Sequence, residues 1–201
     1  MSQVWFTADT HFGHRNILTL GSGRPFSTIE EHDEALVERW NEVVRPQDTV
    51  WHLGDVALSL PHVERCVPQL NGHKYLVAGN HDLCWAAHPS QSRRAGVIAK
   101  TARYRAAGFE RVQDSGIEYG QKIGGRRVVL SHLPADGDHE SQQRYDEQRP
   151  RPLGMPIVCA HVHEAWKVNG QQVNVGVDQW GFRPVHIDEV AAILAHVAPS
   201  L

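Results

Sequence analysis

Apolar residues along this chain fall into short runs separated by longer stretches with helical spacing. The runs are Val4–Ala8, Thr49–Leu53, Lys74–Ala78, Arg127–Leu130 and Pro156–Ala160. Their length and their Val, Ile, Trp and Tyr content favour buried strands over helices. Between the first two, Ser27–Val44 opens with Ser27 or Thr28 followed by Glu30 or Glu31, in the manner of a capping box. It sets Ile29, Leu36, Val37, Trp40 and Val44 at spacings compatible with one helical face. Leu60–Leu70, Ser90–Ala107 (ended by Gly108) and Asp188–Val197 read as further helices.

Strands alternating with helices predict an α/β layered core for the first half. The second half changes character. Gly116–Lys122 and Arg126–Ser131 flank Ile123-Gly124-Gly125 as a hairpin, and Glu164–Val168 with Gln171–Val175 flank the turn dipeptide Asn169-Gly170. The expected architecture is two packed sheets with helices outside, parallel-rich first and antiparallel later. The 201 residues suit one domain. Ala135–Gly154 resists assignment: it is polar, rich in Arg, Gln, Asp and Pro, and without periodicity. A loop of that length in a compact domain is usually functional or mobile.

Composition adds little until the histidines are counted. Lys and Arg total 20 against 23 Asp and Glu, so no overall field draws the chain to nucleic acid or membrane. Cys66, Cys84 and Cys159 lack the spacing of a disulfide framework or a thiolate metal site and read as free thiols. No apolar run approaches the roughly 18 residues of a membrane span. The strand over residues 3–8 leaves no room for a signal peptide, so a cytoplasmic location is expected. The fourteen histidines stand out, since histidine is the commonest metal ligand.

The residues at the end of each apolar run matter most. Val4–Ala8 leads to Asp9-Thr10-His11, Thr49–Leu53 to Gly54-Asp55, and Lys74–Ala78 to Gly79-Asn80-His81-Asp82. Arg127–Leu130 leads to Ser131-His132, and Pro156–Ala160 to His161-Val162-His163. One Asp-x-His or His-x-His arises readily by chance in so histidine-rich a chain. Scattered histidines, however, have no reason to prefer strand ends. In an open α/β sheet the carboxyl ends of parallel strands converge on the crevice where ligands bind, so these residues are expected to meet there.

The donor set is oxygen and imidazole nitrogen without thiolate, which suits Mn²⁺, Fe or Zn²⁺. Seven candidate ligands exceed the needs of one tetrahedral site and suit two divalent ions sharing a carboxylate, at roughly 3.5–4 Å separation. A hydroxide between two such ions is a strong nucleophile at neutral pH.

The ordered motifs resemble those of the calcineurin-like metallophosphoesterases, and the opening Asp9-Thr-His-Phe-Gly-His-Arg-Asn-Ile with Arg24-Pro-Phe resembles a small bacterial and phage subgroup. The resemblance implies a four-layer αββα sandwich and a phosphoesterase using two metal ions. It implies one ion on Asp9, His11, Asp55 and His163, and another on Asp55, Asn80, His132 and His161. It further implies that His81 stabilises phosphoryl oxygens or protonates the leaving group, with Asp82 orienting it through a hydrogen bond. Ala160 stands where the family usually has Gly.

Other positions carry weaker expectations. His14 and Arg24 are candidate contacts to a non-bridging phosphate oxygen, a task that suits the arginine fork. His52, inside a strand, reads as a hydrogen-bonded packing residue. Asp178 either buttresses the site or caps a loop. His88 and His139 lie in loops without an assigned role. Arg93, Arg94, Arg103, Arg105 and Arg111 form either a solvated helix face or a guide for nucleic acid. The substrate is expected to be a phosphate ester, a phosphodiester or nucleotide first, with a small monoester or a nucleic acid as alternatives. A non-catalytic scaffold is the reading from another class.

Overall fold

Alternation along the first strands sends side chains to two different cores. The structure, a computed structural model, describes every residue except Ser22, 91–93, 139–141, Pro152 and 198–201. Strands β1 (Val4–Thr7), β2 (Thr49–His52), β3 (His73–Val77), β4 (Phe109–Gln113) and β10 (Val185–His186) form one sheet in the order β10-β1-β2-β3-β4. All neighbours in it are parallel except β10, which runs antiparallel to β1. Trp5, Val50, Leu76 and Ala78 face a core shared with helices α1 (Ile29–Val43), α2 (Leu60–Cys66) and α3 (Arg94–Ala106). Phe6, Trp51, Leu53 and Val77 face the other way, into a core between two sheets. This is the period-two consequence of the pleat.

The second sheet has the order β5-β6-β7-β9-β8, built from β5 (Ile117–Ile123), β6 (Arg126–Ser131), β7 (Ile157–Cys159), β9 (Gln172–Asn174) and β8 (Val168–Asn169). Both expected hairpins are present as antiparallel pairs, β5–β6 and β8–β9, although β8 begins only at Val168 rather than Glu164 and Asn169 pairs with Gln172, so the turn is Gly170-Gln171; β6–β7 and β7–β9 are parallel. Val128, Leu130, Val158 and Val173 point into the inter-sheet core, joined there by Val190 and Leu194 of α4 (Ile187–His196). On the far face Val129, Ile157 and Cys159 are covered by Ala135, Met155 and Trp166. Two mixed sheets with flanking helices therefore match the expected α/β class.

The differences from the expected elements have local causes. In β4 the exposed pair Glu110-Arg111 breaks the apolar run, and β10 is only two residues long, so neither produces a strand signal. Helix α2 gives way to a 3₁₀ turn at Val67–Gln69, because Pro68 has no N–H to continue the α-helical ladder. The start expected for α3 at Ser90 is followed by 91–93, outside the described residues. Helix α1 begins as expected: the Glu31 N–H donates to Thr28 Oγ1 at 3.1 Å while Glu31 Oε2 accepts from the Ser27 N–H. Among the described residues no helix is long and apolar enough to cross a membrane.

Candidate metal centre

The loops leaving β1, β2 and β3 are laced together at their first residues. Asp9 and His11 donate their N–H groups to the Gly54 and Asp55 carbonyls, both at 3.0 Å. Asp82, fully buried, accepts from the N–H groups of Asp55 (2.8 Å), Val56 (3.0 Å) and Gly79 (2.8 Å), and from the Tyr104 hydroxyl. The β2 and β3 loops approach so closely that a Cβ on Gly79 would lie 2.3 Å from Asp55 Oδ1. Only glycine fits there.

Five of the seven candidate ligands hold left-handed backbone: Asp9 (φ 56°), His11 (49°), Asp55 (56°), His161 (72°) and His163 (46°). Such geometry costs a non-glycine residue about 1–3 kcal/mol and clusters at functional sites. It turns each side chain inward at the point where its strand ends. The outcome is two groups of donor atoms, Asp9/His11/His163 and Asp55/His132/His161, each with its atoms within 4.8 Å of one another. Asp55 Oδ2 lies 3.7 Å from His11 Nε2 and 3.3 Å from His132 Nε2, between the groups. Asn80 joins the second group, its Oδ1 3.0 Å from His132 Nε2. Ala160 is fully buried in the inter-sheet core, and its methyl group leaves His161 and His163 within their groups.

The residues fit a pair of cations. Among the described residues Asp9 Oδ1 and both ring nitrogens of His11 are buried without a hydrogen-bond partner, an arrangement native interiors avoid unless a ligand completes it. The His132 Nδ1–H donates to the Leu53 carbonyl at 2.8 Å, which aims Nε2 at Asp55, where its lone pair would be offered to a cation in exchange for the proton. Asp178 stands 3.3 Å behind His163 Nδ1 and Asp138 stands 3.2 Å from His161 Nε2.

Charge in the cluster is tightly balanced. Burial works to raise the Asp55 carboxyl, but His132, His81 and His11 outweigh it and hold it well below the ordinary range. Burial likewise opposes protonation of His132, yet the charge of Asp55 and then of Asp9 pushes it up to about 9. Burial pulls His161 down to about 4 and His11 well below its usual value. A dication bound here would displace the proton that Asp55 draws onto His132.

Two expectations need correction. Asp82 does not orient His81: its oxygens are taken by three backbone N–H groups and a tyrosine, and it ties the loops together instead. His81 is exposed, its N–H donating to Asp55 Oδ1 at 2.9 Å and its ring 5.5 Å from that of His11. Arg24 is not available to substrate. Its five guanidinium donors reach Asp178 (twice), the Thr10 and Asp9 carbonyls and His32, so it clamps the first loop. Asp178, left open between buttress and cap, shares itself between Arg24 and His163.

His14 is half-buried and lines, with His81, His163, Ile17, Leu20 and Arg144, a cavity of about 430 Å³ beside the donor groups. His52 is a packing residue as expected. The Gly54 N–H donates to its Nδ1, and its Nε2 meets Thr10 Oγ1 at 3.0 Å. Of the arginines near α3, Arg94, Arg103 and Arg111 pair with Asp114, Glu64 and Glu118. His88 contacts Ser90, while His139 and Arg93 lie outside the described residues. Sequence reasoning missed Asp138 and Arg144, which sit in a segment without periodicity.

Comparison with known proteins adds an independent line. A family model described as calcineurin-like phosphoesterase matches residues 2–169. The Gene 66 protein of Mycobacterium phage L5 is 32% identical over 209 residues, covering 98% of this chain and 96% of the phage protein. The Gene 66 protein of Mycobacterium phage D29 is 31% identical over the full length of both. An uncharacterized protein of Methanocaldococcus jannaschii is 40% identical over 85 residues, 41% of this chain and 48% of its own. Among solved structures, a protein of unknown function from Aquifex aeolicus superposes with a TM-score of 0.71 at 24% identity, covering 96% of this chain and 100% of that one, a likeness of fold.

Proposed function

The chain belongs to the calcineurin-like phosphoesterase family, metal-dependent hydrolases of phosphate esters, and from that premise we propose that it cleaves a phosphodiester or nucleotide of small size at two metal ions. Asp9, His11, Asp55 and His163 would hold one ion, and Asp55, Asn80, His132 and His161 the other. The observation that carries this reading is the pair of donor groups on either side of Asp55.

The bound cations would supply Lewis acidity and neutralise charge developing on phosphoryl oxygens during in-line attack by water. The chain's own residues do the rest. Asp55, fixed by the His81 N–H, sets the distance between the two donor groups. The His132 ring is locked by the Leu53 carbonyl. His81 and His14 line the cavity from the side where an ester would enter. A ring nitrogen of His81 donates to a phosphoryl oxygen or protonates the leaving group.

A bounded cavity of about 430 Å³ with Ile17 and Leu20 in its wall suits a mononucleotide-sized ester. The ion-paired arginines near α3 offer no basic track for a polymer. Among metals Mn²⁺ is the first choice, with Fe or Zn²⁺ compatible with the same donors.

The test is a panel of aryl phosphate mono- and diesters, nucleotides and short nucleic acids against Mn²⁺, Zn²⁺ and Fe²⁺. Turnover of a diester or nucleotide is expected. No turnover with any metal would leave the scaffold reading. Asp55→Asn should lose bound metal, measured by calorimetry, and activity together. A folded Asp55→Asn protein with wild-type turnover would end the bridging role.

A further inference from the structure

Helix α1 reaches the metal centre through buried polar side chains. Arg24, His32 and Asp33 are closed to solvent, and the hydrogen bonds among them have a fixed direction. A guanidinium can only donate. His32 Nε2 therefore accepts from Arg24 Nη1 at 2.9 Å, and the His32 proton sits on Nδ1, which donates to Asp33 Oδ1 at 3.0 Å. Asp33 also accepts from Nη2 of the half-exposed Arg65 and from the Gly13 N–H, at 3.1 and 3.0 Å to its two oxygens. On the other side Arg24 grips both oxygens of Asp178 at 2.9 Å, and Asp178 Oδ2 faces His163 Nδ1 at 3.3 Å. A continuous polar chain thus runs from Arg65 through Asp33, His32, Arg24 and Asp178 to His163.

The contacts of this chain fall on one donor group. Arg24 donates to the Asp9 carbonyl (2.7 Å) and the Thr10 carbonyl (3.3 Å), and Asp33 holds the same loop again at Gly13, two residues past His11. Asp178 meets the His163 ring. Asp9, His11 and His163 are together the first group. The second group is held by different partners, the Leu53 carbonyl on His132 and Asp82 on the Asp55 N–H. Net stability gives little reason for such a chain, since well-packed apolar residues in place of a buried charge network are often as stable. A carboxylate behind a ligand imidazole, by contrast, fixes the ring and strengthens the nitrogen offered to a cation. With Nδ1–H committed to Asp178, that nitrogen of His163 is Nε2.

We propose that His32 and Asp178, acting through Arg24, are positioning residues for the first of the two ions: they fix the His163 ring and the loop 9–13, and set the affinity of that ion far more than that of the second. The inference rests on the two-ion reading above and names the residues that make its two sites different.

The metal-free protein is titrated calorimetrically with Mn²⁺, and two binding steps are expected in the wild type. Asp178→Asn should weaken one step by about ten- to a hundredfold and change the other by less than about threefold. The weakened step should be the one that His11→Ala abolishes, not the one that His132→Ala abolishes. His32→Leu leaves Arg24 Nη1 without its acceptor and should weaken the same step by roughly tenfold. His32→Gln, whose amide oxygen can accept from Arg24, should recover most of that loss. Because both act through Arg24, His32→Leu should add little to Asp178→Asn. Equal weakening of both steps by Asp178→Asn, or wild-type affinities in it, would overturn the assignment. Full additivity of the two substitutions, or no recovery in His32→Gln, would overturn the part given to His32. If Asp178→Asn does not fold, Arg24→Lys, which keeps the charge and loses the fork, carries the same comparison. A wild type that binds fewer than two Mn²⁺ removes the two-ion reading and this inference with it. A wild type that binds two ions and hydrolyses no ester ends the hydrolase reading alone, and the titration still decides on Asp178.

Discussion

Buried polar groups in this protein are sorted by what satisfies them. His52 and Asp82 are satisfied by the protein itself, whereas Asp9 and His11 keep atoms without a hydrogen-bond partner among the described residues and face the cluster. Burial holds the His52 pKa down at about 3, against 6.5 for an ordinary histidine. Between those values the unfolded chain binds a proton the folded protein refuses. Stability contributed by neutral His52 is therefore full above pH 6.5 and lost as the pH falls toward 3, at about 1.4 kcal/mol per pH unit. In the metal-free protein His52→Gln should flatten urea-unfolding stability over about pH 6.5 to 4 by that slope. An unchanged slope would show that His52 does not set it. Asp82→Ala leaves three buried N–H groups without an acceptor, and a loss on the order of 3 kcal/mol in urea unfolding is expected. A catalytic group merely orienting His81 would leave stability nearly untouched.

At the scale of elements, every donor sits where a strand stops. A strand end followed by left-handed backbone aims a side chain across the sheet edge, and the same turn repeats after β1, β2 and β7. That local link explains why Asp9, His11, Asp55, His161 and His163 were legible as motifs. Arg24 and Arg144 were not, since which arginine faces the cavity depends on partners as remote as Asp178, 154 positions from Arg24. Close approach of the β2 and β3 loops gives a sharper test. Gly79→Ala would set a methyl 2.3 Å from Asp55 Oδ1 and 2.6 Å from the Asp55 nitrogen. Metal affinity should fall at least about tenfold by calorimetry and Tm should drop. Normal metal binding by this variant would mean that the loops have slack.

The molecule as a whole brings together residues spread from 9 to 163, because parallel β1, β2 and β3 of one sheet and parallel β6 and β7 of the other end beside the same cluster. Metal binding and folding are then linked. A cation at a hundred times its dissociation constant stabilises the fold by about 2.7 kcal/mol, so Mn²⁺ should raise Tm and EDTA should reverse the gain. Equal Tm values with and without metal would argue against a preformed site. Hydrolysis of a nucleotide-sized ester should change little between about 50 and 200 mM salt, whereas a nuclease loses affinity steeply over that range.

Alternation, capping residues and the order of Asp, Asn and His motifs determined β1, β2, β3, β6 and β7, helix α1, the two hairpin turns and the candidate donor set, since each depends on neighbours a few residues apart. Tertiary structure alone decided that Asp82 laces loops, that Arg24 is consumed as a clamp, and that Asp138 and Arg144 reach the cluster from a segment without periodicity. Those roles depend on which donor meets which acceptor across the fold, a choice set by distance in space rather than spacing along the chain.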